Sequence, residues 1–162
     1  MPMKSATINE IKQELSTAKP AELVELCLRL ARFKKENKEL LTYLLFEAND
    51  EQGYIRGIKA EIDELFASIN LSQLYFAKKS LRKIARLINK YCRYSGSKTT
   101  EVELRIYFCR QIKDSGIPIT RNPVINNLYH SQVKKIGTVL QTLHEDLQHD
   151  YYKEVGQLTE NL

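Results

Sequence analysis

From Tyr75 to Thr100 the chain carries eight Lys or Arg and no Asp or Glu. The apolar residues between them recur at helical phase. At about 100° per residue, Leu74, Ala77, Leu81, Ile84, Ala85, Ile88, Tyr91 and Cys92 share one arc of a helix. Lys79, Arg82, Lys83, Arg86, Lys90 and Arg93 share the opposite arc, with Tyr75 inside it and Tyr94 at its edge. A segment of this kind must bury one side and present a continuous cationic ridge on the other. The spacing therefore predicts a basic amphipathic helix over residues 75–94, packed against neighbours of similar kind.

The rest of the chain follows the same period. Thr7-Ile8-Asn9-Glu10 has the form of a capping box, in which hydroxyl and carboxylate satisfy each other's backbone N–H groups. Pro20 suits the first position of a second helix, where its missing N–H costs nothing. That helix is expected to bury Leu23, Leu26, Cys27, Leu30 and Phe33, and the following one Leu40, Leu41, Leu44 and Leu45. Asn49-Asp50 caps a helix with Ile55, Ile58, Ile62, Leu65, Phe66 and Ile69 at 3/4 spacing. Asn70 ends it, Ser72 opens the basic helix, and Ser95-Gly96-Ser97 stops that one.

Residues 101–108 read two ways. Val102, Leu104, Ile106 and Phe108 alternate as in a strand. Yet Thr100-Glu101-Val102-Glu103 resembles another capping box, and Cys109 and Ile112 continue the apolar set to Gly116. A central helix, apolar over most of its circumference, fits better than an isolated strand. Pro123 opens a long last helix with Val124, Leu128, Val133, Ile136, Leu140, Leu143 and Leu147 inward, fraying over residues 156–162. The expectation is an all-α chain: one domain over residues 1–162, an antiparallel bundle of about seven helices, with a short helical solenoid as the alternative.

Lys38-Glu39-Leu40-Leu41-Thr42-Tyr43, Ile58-Lys59-Ala60-Glu61-Ile62 ending at Phe66, and Ala77-Lys78-Lys79-Ser80-Leu81-Arg82-Lys83-Ile84 follow one another in a distinctive order. In this order the chain resembles a family of small all-helical bacterial proteins known only as a domain of unknown function. The resemblance covers roughly residues 10–145 as a layout of helices, implies a helical fold and implies no activity. Where that family has an acidic stretch before its last helix, this chain has Ile119-Thr120-Arg121-Asn122-Pro123, so no role passes to carboxylates there.

Charge is segregated. Residues 75–135 carry 14 basic side chains against 3 acidic, whereas residues 1–74 carry 10 against 12 and residues 136–162 carry 1 against 5. Two opposite readings follow: a basic site for an external polyanion, or internal pairing with acids such as Asp146, Asp150 and Glu154, or Glu61 and Glu64. Cations one helical turn apart match the spacing of phosphates along a nucleic-acid strand, and Tyr75 or Tyr94 could stack on a base.

The chemistry of catalysis and metal binding is thin. His144 and His149 lie five residues apart and diverge on a helix, so no metal site is expected, and His130 stands alone. The three cysteines, Cys27, Cys92 and Cys109, fall among apolar neighbours and read as buried thiols of a reducing cytoplasm. Gly53 and Gly57 read as a close helix crossing. Met1-Pro2-Met3-Lys4-Ser5 leads into polar sequence rather than a secretory signal, and no apolar run spans a membrane.

These features predict a non-enzymatic cytoplasmic protein without cofactor, acting through surface contacts with a protein partner, with room for self-association. The alternative is sequence-independent nucleic-acid binding through Tyr75, Lys79, Arg82, Lys83, Arg86, Lys90, Arg93 and Tyr94.

Overall fold

Side-chain caps open α1 and α4 at Thr7 and Asp50, where the sequence marks them. The computed structural model describes residues 1–162 and contains helices only. They are α1 (Ile8–Thr17), α2 (Pro20–Phe33), α3 (Lys35–Thr42), α4 (Glu51–Ala67), α5 (Leu74–Ser95), α6 (Lys98–Asp114), α7 (Pro123–Leu140) and α8 (Glu145–Thr159). A π-helical turn, Tyr43–Glu47, extends α3. The Thr7–Glu10 box is formed at both ends, Asp50 Oδ1 accepts from Gly53 N–H at 2.9 Å, and Pro20 and Pro123 open α2 and α7.

Several caps differ from expectation. The hydroxyl of Ser97, not Thr100, accepts the first-turn N–H of α6. Thr100 is buried and donates to Glu51 Oε1 at 2.7 Å. Ser72 bonds Asn70, so α5 starts after Gln73 without a side-chain cap. At the other end Gly96 takes φ +67°, the left-handed conformation that only glycine adopts without strain, and turns the chain into α6. Gly53 and Gly57 do not mark a helix crossing. A Cβ at Gly53 would meet the Asp50 carboxylate that caps its own helix, and Gly57 faces open space.

Where one domain over residues 1–162 was expected, the chain divides into two compact units, Met1–Leu45 and Phe46–Leu162. In the first, α2 and α3 form a hairpin whose corner is held by Asn37 Nδ2 donating to Leu30 O at 2.8 Å. The expected burial of α2 and α3 does not occur. Neither helix contains a buried residue, and Cys27 is exposed, because a two-helix hairpin has too little opposing surface to enclose its apolar sides. Among residues 1–45 the one buried side chain is Tyr43.

The second unit is a five-helix bundle built around α6, which packs on α4, α5, α7 and α8. Its contacts set the directions of the neighbours. Lys59–Glu103, Asp63–Tyr107 and Phe66–Phe108 ascend together, so α4 runs parallel to α6. Tyr54 bonds the Tyr91 carbonyl and Glu51 reaches Ser95, so α5 runs antiparallel to α4. Encirclement explains the strand-like alternation of residues 101–108. Val102, Leu104, Ile106 and Phe108 are buried, but so are Arg105 and Cys109, on every side of one helix.

The long last helix is broken. The Thr142 hydroxyl bonds Val139 O at 2.6 Å, a local bond that competes with helix continuation, and His144 Nδ1 accepts from Asp146 N–H to open α8. The chain thus has eight helices, in keeping with the all-α bundle of about seven expected. Leu143 is only half-buried and Leu147 is exposed. Residues 156–162 were expected to fray, yet α8 continues to Thr159. Leu158 is buried, its carbonyl accepts from Tyr129 OH at 2.6 Å, and Lys113 Nζ caps the carbonyls of Gln157 and Glu160.

Arg105 is 4 % exposed, a charge inside the core. Its guanidinium donates twice to Glu101 Oε1, at 2.9 and 2.7 Å, and once each to Asn89 Oδ1 at 3.0 Å and Gln132 Oε1 at 2.9 Å. Three helices are joined at one group. Arg105→Ala leaves those acceptors without their donor and is expected to cost about 3 kcal/mol in urea unfolding, the lower end for a broken buried pair because Glu101 retains some water. A loss under about 1 kcal/mol would remove the network from this role. Burial pushes the thiols of Cys92 and Cys109 up to about 12, with Arg105 opposing the effect only in part. A thiol reagent at mildly alkaline pH is therefore expected to modify Cys27 alone in the native protein and all three cysteines in denaturant. Native reaction at more than one site would contradict the packing around α5 and α6.

Candidate nucleic-acid interface

Helix α5 is rotated by its own apolar arc. Ala77, Leu81, Ile84, Ala85, Ile88 and Cys92 are buried, and Asn89 bonds Arg105 on their flank, so the opposite arc must face outward. Lys79, Arg82, Lys83, Arg86 and Arg93 are all exposed. No acidic side chain comes within ion-pair distance of any of the five. From Lys79 to Arg93 the row runs about 21 Å along the helix axis, closely spaced from Lys79 to Arg86 and then about two turns on to Arg93.

Several of the acids that could have neutralised it are committed elsewhere. Glu101 holds Arg105, Glu103 holds Lys59 at 2.7 Å, and Glu154 holds Arg110 at 2.7 Å. Glu61 accepts from Tyr91 OH at 2.8 Å, and Asp146 lies 3.4 Å from His144. The stripe expected to cover the ridge, Asp146, Asp150 and Glu154, sits on α8, whose close neighbours are α6 and α7 rather than α5. Pairing between the basic centre and the acidic flanks occurs at Arg110 and Glu154, away from the α5 row.

Two of the eight candidate residues stand apart from the exposed row. Lys90 is half-buried, its Nζ 5.2 Å from the centre of the Tyr91 ring. Tyr94 is half-buried and packs edge-on against Tyr91 at 6.3 Å, in a cluster that also holds Tyr54. Tyr75, by contrast, is 68 % exposed at the start of the ridge.

Beside it lies a residue the sequence reading passed over. Phe76 is 44 % exposed and meets Tyr75 edge-to-face at 5.4 Å. The signal was present, since Phe76 falls at the edge of the cationic arc next to Tyr75. Two adjacent rings at one end of a cationic row offer flat faces on which bases stack.

The other cleft with charged walls is less suited to a ligand. It encloses about 360 Å³ between α4, α6 and α8, lined by Lys59, Glu103, Tyr107, Arg110, Tyr151 and Glu154. Both of its cations are already paired with its acids. Tyr107 and Tyr151 have their hydroxyl pKa values raised, first by burial and then by nearby carboxylates, so neither is disposed to act as a base. His130 and His149 are exposed, and no three His, Cys, Asp or Glu side chains converge as metal ligands would. No helix is long and apolar enough to cross a membrane.

Comparison of the chain with models of known protein families, with curated proteins and with solved structures finds no match, so the α5 surface is interpreted on its own chemistry.

Proposed function

We propose that this protein is a non-enzymatic binding protein of the reducing cytoplasm whose helix α5 holds single-stranded nucleic acid by its phosphates, with little sequence preference. The observation that carries this reading is the row of five exposed, unpaired cations, Lys79, Arg82, Lys83, Arg86 and Arg93, on a helix without a carboxylate. Such a row lowers its own electrostatic energy by meeting a polyanion and releasing the polyanion's counterions. Tyr75 and Phe76 add stacking at one end, which tolerates any base because every base has a flat face. The outward residues of the ridge are all Lys and Arg, which meet phosphates first, so affinity comes chiefly from the backbone of the strand. The resemblance to the bacterial helical family adds no activity to this reading. The expected protein partner finds its support not on α5 but in the exposed apolar residues of α2 and α3.

Fluorescence anisotropy with a labelled single-stranded oligonucleotide tests it. With about four phosphates engaged, log Kd is expected to rise with log salt at a slope near 3, because each neutralised phosphate of a single strand releases roughly 0.7 of a counterion. Reversing Lys79, Arg82 and Arg86 to Glu is expected to abolish binding while the helical circular dichroism spectrum is unchanged, since all three side chains point into solvent. Tyr75→Ala is expected to weaken binding by about 1–3 kcal/mol per lost stack with the salt slope unaltered. Absence of salt-sensitive binding by the wild type at low ionic strength would eliminate the proposal. So would undiminished binding by the triple reversal.

A further inference from the structure

We infer that the single strand lies in the furrow between α5 and α7, where Lys134 and Lys135 of α7 form a second wall of phosphate contacts. This rests on the nucleic-acid reading of α5 and extends that site to a helix the reading does not use. A shared absence of acid is the first support. Helix α5 contains no Asp or Glu, and none occurs from Ser115 to His144, a stretch that holds all of α7. Neither Lys134 nor Lys135 has a carboxylate within ion-pair distance. A strand between the two helices therefore meets cations from both sides and carboxylates from neither. At the roughly 8–10 Å between the axes of packed helices, side chains of both walls reach one sugar–phosphate chain.

Register and rotation put the two lysines where α5 lacks charge. One nitrogen of Arg105, Nη1, donates to Asn89 Oδ1 of α5 at 3.0 Å and to Gln132 Oε1 of α7 at 2.9 Å, so both helices meet at that point. Each joins α6 through a short corner and packs antiparallel to it, which makes α5 and α7 parallel to one another. Counted from Asn89 and Gln132, Lys134 and Lys135 come level with Tyr91 and Cys92. This is the interval between Arg86 and Arg93 in which α5 has no exposed cation, because Lys90 is half-buried beside the Tyr91 ring. Steps of three residues turn a helix by about 60° in one sense. Along α7, Tyr129 bonds Leu158 O of α8, Gln132 bonds Arg105, and Lys135 comes one step further round, toward α5. Lys134 is exposed beside it, and Lys135 is half-buried. On α5, Arg82, Arg86 and Arg93 fall within about 60° of Asn89 on its outward side, closer to α7 than Lys79 and Lys83 do. Arginines thus line the furrow, where their forks grip phosphate oxygens in pairs, and lysines line the crest. Tyr75 shares the angle of Arg93 and stands at the furrow's entrance.

Lysine footprinting of the full wild-type chain tests this without any substitution. An amine-reactive reagent is applied with and without a single-stranded oligothymidylate, and mass spectrometry reads each modified site. Lys134 is expected to be protected together with Lys79 and Lys83, whereas Lys153, exposed on α8, reacts as before. Anisotropy titrations of the same oligonucleotide supply the second arm. Lys134→Gln combined with Lys135→Gln is expected to weaken binding about 25-fold at 0.1 M salt. The slope of log Kd against log salt is expected to fall by about 1.4, because two contacts each release roughly 0.7 of a counterion. Lys134→Gln alone, at an exposed position, is expected to lower the slope by about 0.7. Lys153→Glu changes the net charge as much as the double variant and is expected to leave the slope unaltered. Protection of Lys79 and Lys83 without Lys134, or a slope that the α7 variants leave intact, would overturn the inference while the α5 reading stands. An equal loss with Lys153→Glu would also overturn it, by reducing the effect to net charge. A wild-type chain with no salt-sensitive binding would remove both readings together.

Discussion

The guanidinium of Arg105 is the point from which the larger unit takes its geometry. A charge buried on the central helix is tolerable only if its donors are met, and here Glu101, Asn89 and Gln132 meet them from α6, α5 and α7. Apolar packing carries no directional bond of its own. Arg105 supplies one to Asn89. With the buried apolar arc and the bonds of Tyr91 and Ser95 to α4, it holds α5 in the rotation that points Lys79, Arg82, Lys83, Arg86 and Arg93 outward. One cation withdrawn from water thus helps to orient five that remain in it.

The distribution of acids completes that arrangement. Carboxylates of the larger unit are engaged at helix junctions: Glu51 with Ser95 and Thr100, Asp63 with Tyr107, Glu103 with Lys59 and Glu154 with Arg110. All but the Glu51–Ser95 bond, which joins α4 to α5, tie an element to α6. Coulomb attraction between exposed charges is weak in water, so surface acids have little reason to migrate to the ridge when geometry offers them bonded partners elsewhere. The positive potential along α5 is consequently local and uncancelled, although the chain as a whole carries a formal charge of only +5.

The two units differ in how they are held. Residues 46–162 enclose Ile62, Leu81, Ile88, Leu104, Phe108, Ile136 and Leu158 at 2 % exposure or less, the density of an ordinary protein interior. Residues 1–45 enclose almost nothing, and α1 leaves Ile8, Ile11 and Leu15 on the surface as well. Local opening free energies follow buried apolar contact, so hydrogen exchange should be slow in α6 and far faster in α1 and α2 of an isolated chain.

Helix type, most helix starts and the two faces of α5 were legible in the sequence because each depends on residues within a turn or two of one another. Thr7, Asp50, Pro20 and Pro123 act on their own backbone, and the phase of Leu81, Ile84 and Ile88 against Lys79, Arg82 and Arg86 is a property of a single helix. Which apolar residues are buried was not legible. Leu26, Leu30 and Phe33 have the same 3/4 spacing as Ile55, Ile58 and Ile62, yet the first set is exposed and the second enclosed. Periodicity names a face, whereas burial requires an opposing surface from distant parts of the chain. The same reason separates Tyr75 from Tyr94. Both lie in or beside the cationic arc by sequence, but only the packing of Tyr91 against Tyr54 draws Tyr94 into an aromatic cluster and leaves Tyr75 in solvent. The sequence by itself determined that a cationic helix exists; the tertiary structure alone decided that its charges go unpaired, because ion pairing between helices depends on where other helices bring their acids.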